Sequence, residues 1–158
     1  MDDINDSDSV IYEDFTGVLR ERLEAFLNVP LIELQKIRPL WVTQETREKA
    51  EFIDFEKSRI IWVRPAALIA SIYFLGLPTE SLFNDDNNDF RYITTLERWT
   101  KGQYVDPPSA SINDFNSNKI TIDDGRHRAV LSYYLQMALV PLLVHHAQKE
   151  RIIEIIGD

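Results

Sequence analysis

Apolar positions recur along the chain in blocks separated by charged stretches, and the spacing inside each block predicts an element. In GVLRERLEAFLN, Val18, Leu19, Leu23, Phe26 and Leu27 fall on one face, with Arg20, Glu21 and Glu24 opposite, as an amphipathic helix requires. Pro30 breaks that pattern, and PLIELQKIRPLWVT predicts a short helix or turn before a strand around Trp41. Residues 44–59, QETREKAEFIDFEKSR, are charged and weakly periodic, and no definite element follows from them. RIIWV is a continuous apolar run and predicts a strand. Pro65 suits the first turn of a following helix, where its missing N–H would have had no partner. Gly76 and Pro78 are expected to end that helix.

FNDDNNDF, with three aspartates and three asparagines, predicts a loop. FRYITTLERWTKG leans towards extended chain that turns at Gly102. YVDPPSASI is a proline-stiffened lead into another extended piece, NDFNSNK a turn and ITI a strand. From about Arg126 to Met137, Ala129, Val130, Tyr133, Tyr134 and Met137 share a helical face flanked by Leu131 and Leu135. LVPLLVHH predicts a strand, and KERIIEIIG a short terminal helix or strand. There is neither an internal repeat nor a second core. The expectation is one α+β domain over residues 10–158, a small mixed β-sheet with flanking helices.

The bulk numbers narrow the setting. A chain of 158 residues is long enough to bury a core without staples. Seventeen basic against 26 acidic residues give a formal charge of -9, which disfavours extended nucleic-acid or anionic-membrane contact. Part of that charge sits in MDDINDSDS, where Asp2, Asp3, Asp6 and Asp8 accompany no apolar run, and residues 1–9 are expected to form a disordered acidic arm. The absence of cysteine removes disulfides, thiolate nucleophiles and cysteine-bound metals, and the start lacks a signal-peptide profile, so a cytoplasmic setting is expected. Ile60–Leu77 is apolar, but Arg64 and Pro65 split it. The remainder falls short of the roughly 20 residues that cross a bilayer.

One stretch concentrates chemistry. KITIDDGRHRAVLSYYL sets Asp123, Asp124, Gly125, Arg126, His127 and Arg128 between a predicted strand and helix. A helix entered through glycine presents backbone N–H groups and its positive dipole end, which suit a phosphate or carboxylate. Asp124 is a candidate cap, Gly125 allows a sharp turn, and Arg126 and Arg128 are planar forks that grip oxyanions. Asp123 and Asp124 are candidate ligands for magnesium, which takes one or two carboxylates together with phosphate oxygens. His127 is a candidate acid–base group or phosphate contact. The alternative is a salt-bridged turn, with the aspartates pairing to the arginines and His127 bonded to backbone. The long phosphate loop GxxxxGK[ST] is absent. His145 and His146 lack a third ligand and would face opposite sides of a strand end. Trp41, Trp62 and Trp99 are expected as core anchors. Lys101 and Tyr104 border the proline-rich lead, and Ser109 and Ser111 have no activating base in view.

ITIDDGRHRAVLSYYLQMALVPLLV resembles the signature of the ParB-like/sulfiredoxin-like superfamily, and KGQYVDPPSASI resembles that family's upstream segment. The resemblance runs roughly from Trp99 to Val144. It implies a nucleotide's phosphates cradled by Gly125, Arg126, His127 and Arg128, with magnesium and ATP or another nucleotide as the cofactor. In the sulfiredoxin branch the residue between glycine and histidine is a catalytic cysteine. Arg126 stands there, which excludes sulfinate reduction. The branches that remain imply phosphoryl transfer or phosphodiester hydrolysis, with Asp124, His127 and Arg128 in catalytic roles. Gln136 stands where the family has glycine between the helix and the last strand; a non-glycine residue in a left-handed position there costs roughly 1 kcal/mol. The rival expectation is a non-catalytic module whose acidic surface binds a basic protein partner.

Overall fold

The computed structural model describes residues 16–83 and 86–157, so the expected acidic arm lies outside the described residues. Helix α1 spans Thr16–Leu27 and α2 Leu31–Leu34; strand β1 is Ser58–Val63, followed by helix α3 at Pro65–Ser71. Helix α4 is Asp86–Thr100, β2 Ser109–Ile112, β3 Ile120–Asp124, α5 Arg126–Tyr134, β4 Val140–His145 and α6 Lys149–Ile156. The strands form a mixed sheet in the order β1-β4-β2-β3. β1 runs antiparallel to β4, with Ser58 opposite His145 and Val63 opposite Val140. β4 is parallel to β2, and β2 is antiparallel to β3 with an irregularity between Ser109 and Ala110.

Side chains alternate across a strand, and that alternation divides the sheet into two unlike faces. Ile61, Val63, Ala110, Ile120, Ile122, Val140, Leu142 and Val144 are all buried, in one cluster with Leu68, Val130, Leu131 and Ile152 from the helices. The other face carries Trp62, which is 51 % exposed, together with Ser111, Thr121 and Asp123. The result is a small α+β fold, a four-stranded mixed sheet flanked by helices. Among the described residues no helix is long and apolar enough to cross a membrane, and Ile60–Leu77 resolves into β1, α3 and a following extended segment.

Several expectations need correction. FRYITTLERWTKG is not extended: α4 begins at Asp86, within the predicted loop, and continues to Thr100 before Gly102 turns the chain with a φ of 75°. Tyr92, Ile93, Leu96 and Trp99 are buried at helical spacing, and this face outweighs the strand preference of Tyr92, Ile93, Thr94, Thr95 and Trp99. Helix α3 ends at Ser71, well before Gly76, because Ile72 forms a parallel bridge with Ile120 and the Tyr73 N–H donates to the Ile120 carbonyl at 2.9 Å. Around Trp41 there is a single parallel bridge to Val105 in place of a strand. Trp41 and Trp99 are the expected anchors: their rings meet edge to face at 5.1 Å, and Trp99 Nε1 donates to the Leu40 carbonyl. Trp62 is not one.

The C-terminal half follows the apolar pattern closely. The helix from Arg126 stops at Tyr134 because Gln136 takes a φ of 58°, the left-handed position from which the chain turns into β4. KERIIEIIG is helical.

Candidate functional site

The turn between β3 and α5 is held in place by glycine geometry. Gly125 has a φ of 88° and ψ of 28°, and a Cβ there would lie 2.8 Å from both the Pro108 Cα and Arg128 Nη2. Only glycine satisfies both the left-handed backbone and that close approach. Pro108 is itself fixed, because its carbonyl accepts from the Leu143 N–H at 2.8 Å. The proline-rich lead therefore forms one wall of the turn. Helix α5 starts at Arg126 with glycine as its N-cap, which has no side chain to cap with. Asp124 does not serve as the cap; its Oδ2 lies 3.4 Å from Arg128 Nη2, a long and exposed ion pair.

The predicted residues are split by the pleat. Asp123 accepts from the Ser111 hydroxyl at 3.0 Å, whereas Asp124 leans towards Arg128 on the helix side. The two carboxylates thus point to opposite faces of β3 and do not fit a shared two-carboxylate magnesium site. Burial pushes the Asp123 carboxyl up from its ordinary range, with the Ser111 hydrogen bond opposing. Among the described residues, no three histidine, aspartate or glutamate side chains come together in a way that could hold a metal ion.

Arg126 and Arg128 leave the turn in different directions. Arg126 Nη1 donates to the Leu75 carbonyl at 3.0 Å, anchoring the segment after α3. Arg128 is partly buried, and its Nε is enclosed without a hydrogen-bond partner. Between them, His127 is half-buried and its ring meets Tyr92 edge to face at 5.4 Å. Its pKa is lowered to about 4, first by desolvation and then by the positive charges of Arg91, Arg126 and Arg128. The imidazole is therefore neutral at pH 7, set among three guanidiniums at a helix start. Asp106, beside the prolines, is also near Arg128. Burial and the Glu51 carboxylate raise its pKa, while N–H donors from Glu51 and Phe52 and the Arg128 charge oppose the rise.

Arg91 and Tyr92 were invisible to motif reading because they arrive from α4, which the sequence disguised as loop and strand. The spacing of Tyr92, Leu96 and Trp99 was the signal that would have found them. Lys101 is exposed, and Tyr104 stacks under Lys49 at 5.7 Å. The His145 and His146 rings stack at 4.5 Å instead of facing apart, because a 3-10 turn begins at His146 and the His145 Nδ1 accepts from the Ala147 N–H. No family model, curated protein or solved structure matches the chain.

Proposed function

We propose that the chain binds a nucleotide or another phosphorylated ligand at the turn formed by Gly125, Arg126, His127 and Arg128. The observation that carries this reading is the set of positive charges, from Arg91, Arg126 and Arg128, that all bear on the half-buried His127 at the start of α5. Like charges gathered in one place repel. A phosphate would relieve the repulsion, and the start of α5 adds the favourable end of its dipole. Under this reading the domain is of the ParB/sulfiredoxin-like kind that the strand, turn, helix and strand of its C-terminal half resemble.

Hydrolysis is the second part of the proposal. Arg126 and Arg128 would stabilise charge developing on a phosphoryl group. With its pKa so far below 7, His127 is a weak base, so binding is better supported than chemistry. Asp124 is the carboxylate on the helix side and would be one ligand to a magnesium ion carried in on a nucleotide.

A structural turn on a module that binds a basic protein partner is the second reading. The bond from Arg126 to the Leu75 carbonyl favours it, since that arginine already ties two segments together. A thermal-shift series with ATP, ADP, CTP, GTP and inorganic phosphate, with and without magnesium, separates the two. A ligand that binds the folded state raises its apparent stability. A shift that disappears in Arg128→Met supports the phosphate site, and no shift up to millimolar ligand sinks it. Phosphate release by the wild type would test hydrolysis.

A further inference from the structure

From the arrangement of Phe74, Gly76 and Arg126 we infer that the ligand is a nucleotide whose base stacks on the Phe74 ring while its phosphates meet Arg126. The inference rests on the phosphate-site reading and specifies what is attached to the phosphate. Phe74 is 74 % exposed and lies on the same side of Gly76 as the Arg126 guanidinium. Its neighbour Tyr73 is already paired with Phe115, the rings 6.3 Å apart and tilted by 30°. Phe74 has no ring partner among the described residues, so its face is open.

The ring and the guanidinium are brought together by one glycine. A Cβ on Gly76 would lie 3.0 Å from Arg126 Nη1 and 3.0 Å from Phe74 Cε2, and Gly76 has a φ of 72°. The backbone is therefore pinched where the two groups flank it. The bond from Arg126 Nη1 to the Leu75 carbonyl locks the pinch, and the remaining guanidinium donors are not needed for that bond. An open aromatic face beside a fixed guanidinium matches the two ends of a nucleotide, a π-surface and an oxyanion. Stacking on an aromatic face is sequence-tolerant, because every base has a π-face.

Isothermal titration of the full chain with sodium tripolyphosphate and with ATP, CTP and GTP tests this directly, using Phe74→Ala and Phe74→Trp alongside the wild type. The wild type should bind each nucleoside triphosphate more tightly than tripolyphosphate. Phe74→Ala should lose that excess, roughly 5- to 150-fold, with tripolyphosphate affinity unchanged. Phe74→Trp should keep it. Circular dichroism checks that the variants fold. Equal affinity for nucleotides and tripolyphosphate, or a Phe74→Ala variant that binds nucleotides as well as the wild type, overturns the inference and leaves the phosphate site standing. Binding of neither class overturns both.

Discussion

Gly125 and Pro108 touch so closely that a single methyl group on the glycine would sit 2.8 Å from the proline Cα. The contact joins two parts of the candidate site, the proline-rich lead and the helix start, through backbone alone. Gly125→Ala should therefore destabilise the fold by about 2–4 kcal/mol, combining left-handed strain with overpacking against an atom that cannot swing away. Urea unfolding measures this. A loss below about 0.5 kcal/mol would mean that the turn is looser than described.

Arg128 offers the sharpest test between a ligand site and a structural turn. Its exposed pair with Asp124 at 3.4 Å is worth at most about 1 kcal/mol, and its enclosed Nε gains nothing from the protein. Arg128→Met keeps the length of the side chain while removing the charge. Its unfolding free energy from urea titration should stay within about 1 kcal/mol of the wild type, and tripolyphosphate affinity should fall at least tenfold, on the order of 1.4 kcal/mol. A strong loss of stability with unchanged anion binding would favour the structural turn.

His127 makes the site readable by acid titration. Its pKa of about 4 lies below the ordinary 6.5, so the unfolded chain binds the proton more readily than the folded one. Stability should be highest above pH 6.5 and should fall as the pH drops from 6.5 towards 4. Solvent screening at a half-exposed site limits the loss to about 1–2 kcal/mol. Asp106 and Asp123, whose pKa values are raised, act in the opposite sense just above 3.8 and should flatten the acid end. A bound anion favours the imidazolium, so tripolyphosphate should raise the His127 pKa and bind more tightly as the pH is lowered from 7. Imidazole NMR titration with and without tripolyphosphate checks both points. A value near 6.5 in the free protein would contradict the enclosure of His127.

The N-terminal segment depends on a pair of indoles. Trp99 joins Trp41 edge to face and donates to the Leu40 carbonyl, next to the bridge between Trp41 and Val105. Trp99→Ala should cost about 3–5 kcal/mol, and Trp99→Phe less, since the phenyl ring keeps most of the packing and the Leu40 carbonyl keeps the Val105 N–H as a donor. Thermal unfolding followed by circular dichroism distinguishes them. Equal losses would place the energy in the hydrogen bond.

How much of this was legible in the sequence varied along the chain, for physical reasons. Strands β1, β3 and β4 were readable because apolar runs such as RIIWV, ITI and VPLLV sit between turn residues. Helix α5 was readable from the spacing of Ala129, Val130 and Tyr133, but not its end: the apolar spacing runs on to Met137, whereas the chain turns at Gln136, the position where the resemblance implied glycine. Helix α4 was lost because a polar run at its start and β-branched residues in its middle argue locally against helix, while its buried face decides globally. That loss concealed Arg91 and Tyr92, and with them half of the environment of His127. The opposed directions of Asp123 and Asp124 follow from the pleat once both are assigned to β3, one residue pair beyond the predicted ITI. The placing of Phe74 and Arg126 together beside Gly76 needed the early end of α3, which depends on pairing between Ile72 and Ile120, far apart in the chain.

The order of the sheet has a bearing on how the protein is born. β4 lies in the interior, bonded to β1 on one side and β2 on the other, yet it is the last strand to be synthesised. Until residues 140–145 leave the ribosome, β1 lacks its sheet neighbour, and the β2–β3 hairpin has only the bridge from Ile72 to Ile120 to join. β1, with the buried Ile61 and Val63, therefore gains its sheet partner only once β4 has emerged. A strand edge that must wait for a late partner is open to aggregation while the chain is being made.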